Sequence, residues 1–183
     1  MSPLLNLKSF AAAGGVLNGV WPEVEVVGRP QPFDRLAADA CEPGGLSVVE
    51  WTITGEQHLA LDGAPTVWLH VLASAKTRLI CQRCLAPADV AVESSRTFRF
   101  VRDEETAALE DDASEEDVLV QTDPFDWVQL LEDELIMSTP LVPMHDVCPN
   151  APALIDPLSL PDAEADRIHP FADLRSRMGQ SST

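Results

Sequence analysis

The dominant period along this chain is two. Thr66 to Ser74 alternates Val67, Leu69 and Val71 with Trp68, His70 and Leu72, as a central strand covered on both faces would. Lys76 to Gln82 reads as a further strand entering a turn. After Pro87, Val90 and Val92 alternate with Ala91 and Glu93. Phe98, Phe100 and Arg102 then alternate with Thr97, Arg99 and Val101, an aromatic core face beside a basic outer face. Upstream, Leu46, Val48, Trp51 and Ile53 predict a strand, Gly55-Glu56 a turn, and His58, Ala60 and Asp62 a second short strand before an Asp62-Gly63 turn. Val24, Val26 and Val27 suggest another strand, Pro32 to Asp39 a short helix, Gly44-Gly45 a break, and Val118 to Val120 a last short strand. Residues 1–20 have no clear period and read as an N-terminal arm.

Helical spacing is clearest late in the chain. Trp127, Leu130, Leu131 and Leu135 fall on one face, with Asp123 as the expected N-cap and Pro124 in the first turn. Ser138-Thr139-Pro140 ends that helix, because a residue before Pro avoids the α region. Its Glu132-Asp133-Glu134 reads as a solvated face. From Pro149 onward Pro, Asp and Ala dominate, and a largely disordered tail is expected, with a short motif around Pro170 to Leu174.

The expected fold class is therefore α+β: a mainly antiparallel sheet of about six or seven strands and one main helix near 124–137. The domain boundaries expected are an arm 1–20, a single domain 21–148 and a tail 149–183. With 45% hydrophobic residues in 183, the chain can build a core. It has no apolar run of about 18 residues, so no membrane span is expected. The apolar stretch after Lys8 is interrupted by Gly14-Gly15, which argues against a secretory signal and for a cytoplasmic protein.

Charge is uneven. The net charge is −18, yet six of the twelve basic residues lie within 76–102: Lys76, Arg78, Arg83, Arg96, Arg99 and Arg102. Residues 103–134 carry 14 carboxylates and no basic group, and nine of them fall in 103–117, read as a solvated, disordered loop. The arginines either form a cationic binding face or balance nearby carboxylates.

The candidate chemistry is a C-x-x-C pair, Cys81 and Cys84, with a distant H-x-x-C pair, His145 and Cys148. Three thiolates and one imidazole match a structural zinc set in type and count. Sixty residues separate the pairs, and a sheet followed by a returning helix would bring them together. The alternative is a set of ordinary side chains without metal. A redox pair fits poorly, since the motif does not lead from a strand into a helix of a βαβ unit. No nucleophile elbow, P-loop or dinucleotide fingerprint occurs. Cys41 reads as an isolated loop thiol.

Cys81-Gln82-Arg83-Cys84-Leu85, an acidic stretch, Leu130-Leu131-Glu132-Asp133-Glu134-Leu135-Ile136, then Thr139 to Asp146 and a His169-Pro170-Phe171-Ala172-Asp173-Leu174 ending together resemble the YceD family. The resemblance runs from about Trp21 to Met178. It implies a cytoplasmic bacterial protein, with plastid relatives, needed for accumulation or processing of large-subunit ribosomal RNA, and no known enzymatic activity. Some members of the family carry further cysteines after the helix where this chain has His145 and Cys148. No catalytic residue is carried over. On this reading the basic residues of 76–102 touch ribosomal RNA, or loop 103–117 binds a basic ribosomal protein. At long range the charge favours the second route. The rival classes are a zinc-stapled interaction module unrelated to ribosomes and a metal-dependent nuclease.

Overall fold

The period-two segments fuse into strands longer than the sequence breaks suggest. The computed structural model describes residues 1–29, 31–42, 44–59 and 63–149. Its elements, in order, are β1 (Leu4–Leu5), α1 (Leu7–Ala12), β2 (Val16–Trp21), α2 (Asp34–Ala38), β3 (Val48–Leu59) and β4 (Pro65–Ile80). There follow β5 (Pro87–Val101), α3 (Glu104–Asp111), β6 (Asp117–Val120), β7 (Phe125–Asp126) and α4 (Trp127–Met137). Strands β2 to β5 form an antiparallel meander, β6 joins β5 in parallel, and β1 pairs with β7. The fold is α+β, as expected, with seven strands among the described residues.

The sheet's inner face holds the core. Val67, Leu69, Val71, Ala73 and Ala75 of β4 are buried beside Val49, Trp51 and Ile53 of β3 and Val92, Phe98 and Phe100 of β5. Helices α1, α2 and α4 supply Leu7, Leu36, Trp127, Val128, Leu131 and Leu135. Aromatic rings run through this layer, with centroids 6.1 Å apart for Phe33 and Trp51 and 5.6 Å for Trp51 and Trp127.

Several expectations change. Residues 1–20 are not an arm: Leu7 and Ala11 lie in the core, and β2 is a sheet strand. Gly55 is not a turn residue. It sits within β3, where a Cβ would meet the Phe10 ring at 2.5 Å, so glycine there lets α1 lie close on the strand. The two segments read in 66–82 are one strand, because Ala73 and Ala75 continue the buried face. Val24 to Val27 form no strand beyond an isolated Val26–Arg29 bridge. The predicted strand end at Ala60 to Asp62, and the tail beyond Pro149 with its terminal motif, lie outside the described residues.

Residues 103–117 are not a loop. A parallel β5–β6 pair needs a crossover of roughly a dozen residues, and α3 occupies it. Asp103 caps α3 by accepting from the Thr106 N–H at 2.9 Å. That bond, a second from the Thr106 hydroxyl and the Arg102 guanidinium hold its carboxyl at about 2. Ala107 packs on Val101 and Val118 against the sheet's outer face. The acidic run thus stays solvated on one side of a helix and buries a small residue on the other.

Helix α4 begins three residues later than expected. Phe125 and Asp126 pair with β1 first, and Asp126, not Asp123, accepts from the Gln129 N–H at 3.0 Å. Glu132 is not on a solvated face either. It is only 3% exposed, and it accepts from the backbone N–H groups of Arg35 (2.8 Å) and Leu36 (3.2 Å). It also accepts from Arg35 Nε at 2.9 Å. Helix α2 has Phe33 at its N-cap, with no side-chain acceptor, so a carboxylate from α4 supplies the missing cap.

Leu7→Ala should lower the unfolding free energy by about 2–5 kcal/mol in urea denaturation; a detached arm would make it neutral. Glu132→Ala should cost about 2 kcal/mol, because two amides of α2 lose their acceptor. Amide exchange at Arg35 and Leu36 should rise more than in β4.

Candidate metal centre and the charged segments

Strand β4 runs on past the first residue of β3, whose Val48 pairs with Lys76. The β4–β5 hairpin therefore projects beyond the helix-covered core. Its turn is built by Leu85 N–H donating to Cys81 O (2.8 Å) and Cys81 N–H donating to Ala86 O (2.9 Å). Leu85 closes it with a left-handed φ of +59°. The chain after α4 returns to this tip, where Gln82 N–H donates to Pro143 O at 2.9 Å.

That return unites the two pairs. The ligand atoms of Cys81, Cys84, His145 and Cys148 all lie within 4.8 Å of one another. Cys81 Sγ and Cys148 Sγ are 3.7 Å apart, and Cys84 Sγ is 3.4 Å from His145 Nδ1. All four cysteines of the chain, Cys41 included, are free thiols. A tetrahedron with metal–sulfur arms of about 2.3 Å has sulfur–sulfur edges of about 3.8 Å. The cluster matches that size and can hold a metal ion. His145 Nε2 lies 2.9 Å from the Pro87 carbonyl. Donation there leaves the Nδ1 lone pair facing the sulfurs, the outer-shell arrangement that orients a histidine ligand.

The electrostatics suit a cation. Burial opposes ionisation of Cys81, but N–H groups of His145, Cys84 and Arg83 directed at its sulfur outweigh that and bring its thiol to about 5. Cys148 moves the other way, raised by burial and then by its thiol neighbours Cys81 and Cys84. A sulfur inclined to be anionic (Cys81) beside a thiol held neutral (Cys148) is an arrangement a divalent ion relieves.

The six basic residues of 76–102 do not form one face. The register puts Lys76, Arg78 and Arg99 on the outer face, while Arg96, opposite Val71, lies on the helix-covered face. Four of the six are paired. Arg78 contacts Glu42 and Asp89, Arg96 contacts Glu134, Arg99 contacts Glu110 of α3, and Arg102 contacts Asp103. Arg83, in the cysteine turn, points Nη2 at Met144 Sδ, 3.8 Å away. Lys76 makes no ion pair among the described residues. Glu134, which Arg96 meets, has its carboxyl raised by burial. Sequence spacing did not reveal the pairings of Arg78, Arg96 and Arg99, because each joins residues on different elements or across a turn.

The segment spanning the hairpin, α3, α4 and the cluster is also where the chain matches known proteins. Residues 69–176, more than half of the chain, match the family model described as Large ribosomal RNA subunit accumulation protein YceD. The chain belongs to the YceD family. The family is described as an accumulation factor for large-subunit ribosomal RNA, not as an enzyme family. No solved structure matches the chain significantly. No helix among the described residues is long and apolar enough to cross a membrane.

Titration of the reduced protein with zinc should load one ion per chain by mass spectrometry under native conditions. Cys81→Ser or Cys148→Ser should weaken loading at least tenfold, while Cys41→Ser leaves it unchanged. Loading that survives both ligand changes would exclude this cluster.

Proposed function

As the function of this YceD family member, we propose a non-enzymatic factor that supports accumulation of large-subunit ribosomal RNA in the cytoplasm by holding a basic ribosomal protein. The family match over 69–176 carries the reading. The pairing of charges favours a protein partner over bare RNA. Phosphate binding draws on free Lys and Arg groups, and Arg78, Arg96, Arg99 and Arg102 are already engaged by carboxylates. The net charge of −18 repels a polyanion and attracts a polycation. Lys76, Arg83 and any released arginines would contribute locally if RNA were touched.

Cys81, Cys84, His145 and Cys148 would hold zinc as a structural ion. Bound there, it would supply a cross-link between the hairpin tip and the segment after α4. Four protein ligands complete a tetrahedron and leave no position for a substrate or an activated water, which a hydrolytic site requires. That donor set supports an assembly role over a nuclease.

Tagged protein should be captured from cells of its own source at low and at moderate salt, with and without prior ribonuclease treatment. Large-subunit proteins should remain enriched after ribonuclease and diminish as salt rises. Enrichment of large-subunit RNA without any basic protein would replace the protein route by the RNA route. Recovery of neither would defeat the assembly reading by direct contact.

A further inference from the structure

Among the described residues, helices α1, α2 and α4 cover one face of the five-stranded sheet, and on the other α3 covers only the β5–β6 end. Between β2 and β5 that outer face is an open groove of about 740 Å³. Its central row is set by register: Glu50 of β3, Ser74 of β4 and Glu93 of β5 stand side by side. The next row is Thr52, Leu72 and Ser95, with Asn18 of β2 beside Thr52. Leu72 is 54% exposed at the middle of the floor.

One feature distinguishes this face from the other acidic surfaces. Glu50 and Glu93 are exposed and, like most carboxylates of α3, make no ion pair among the described residues. Lys76, one pleat along from Ser74, pairs with neither. What sets the face apart is that the two carboxylates flank Ser74 and stand one row from an exposed apolar side chain, Leu72, on a sheet instead of on a helix's solvated side. Two free carboxylates beside one exposed leucine fit a segment that is both basic and apolar.

We propose that this groove binds an extended, lysine- or arginine-rich segment of a protein partner, with Leu72 under its apolar residues and Glu50 and Glu93 each taking one cation. The proposal rests on the reading above and names the surface that reading needs. Spacing sharpens it. Glu50 and Glu93 stand two strand spacings apart, about 9.5 Å between backbones. In a polyproline-type extended chain, residues three apart share a face and are separated by about 9.3 Å. The matching segment carries a basic residue at every third position.

The probe is a blocked 12-residue peptide of four Lys-Pro-Val repeats, titrated into the full-length protein while amide resonances are followed. Shifts should concentrate at 18–20, 50–52, 72–74 and 93–95. The E50Q/E93Q double variant should lose affinity about tenfold, with its melting temperature unchanged because both side chains are exposed. Leu72→Ser should weaken binding without altering its salt dependence. Shifts confined to 103–117 would overturn the groove while leaving a basic partner in place. No binding anywhere at low salt would overturn both. Binding that E50Q/E93Q leaves intact would overturn the groove alone.

Discussion

The structure depends on keeping one very long strand covered. Strand β4 buries alternate side chains from Val67 to Leu79 without a break. Sixteen residues at about 3.3 Å each span roughly 53 Å, more than the short helices above it can roof. The chain meets this in two ways. Over Val67 to Ala75 it lays helices, joined by the aromatic layer through Trp51 and Trp127. Beyond that, where β3 has ended, Cys41, Gly45 and Ser47 hydrogen-bond to β4 at Lys76 and Arg78, and at the tip Cys148 joins Cys81, Cys84 and Ala88 in a small separate cluster. A core that small buries too little apolar surface to fix the hairpin tip by itself. Metal ligation by Cys81, Cys84, His145 and Cys148, which meet where the helical roof stops, would supply the missing restraint.

The same economy governs charge. An acidic chain gains solubility and loses compactness through self-repulsion. Here arginines on β4 and β5 are set against carboxylates of α3, α4 and the 41–47 segment, which relieves repulsion where elements meet. Glu132 goes further, giving up solvent to cap α2 with its carboxylate and to hold Arg35. Asp133 extends the same contact to Arg35 at 2.6 Å. These pairs are internal joints, and what is left unpaired becomes informative by contrast: the carboxylates of the open sheet face belong to that remainder.

How much of this the sequence discloses follows from the range of each interaction. Period-two burial is local, so the strands around Val67 to Val71 and Phe98 to Phe100 were legible. The candidate ligand set was legible because cysteine and histidine at x2 spacing carry their chemistry with them, whatever the distance between the pairs, and the fold brings the four side chains together. What escaped reading was set by tertiary context. Gly55 reads as a turn until Phe10 is placed on it. Leu7 belongs to an aperiodic stretch until β1 pairs with β7 and brings α1 down on the sheet. Nine carboxylates in 103–117 look like a solvated loop because composition outvotes a single buried alanine, and only the parallel β5–β6 pairing demands a crossover there. Glu132 looks exposed in an acidic triplet, since nothing local says that α2 lacks its own cap.

These points bear on function through rigidity. A factor that holds a partner during assembly needs a surface whose shape is fixed before contact, because every side chain ordered on binding costs affinity. The open sheet face meets that need. Its backbone is held on both sides by the long β3–β4–β5 ladders, and its floor side chains alternate with residues locked in the core. The cluster of Cys81, Cys84, His145 and Cys148 lies at the tip of the same two strands, β4 and β5, whose middle forms the open face. A metal held at that tip would stiffen the hairpin, and losing it would blur the face without touching any residue in it.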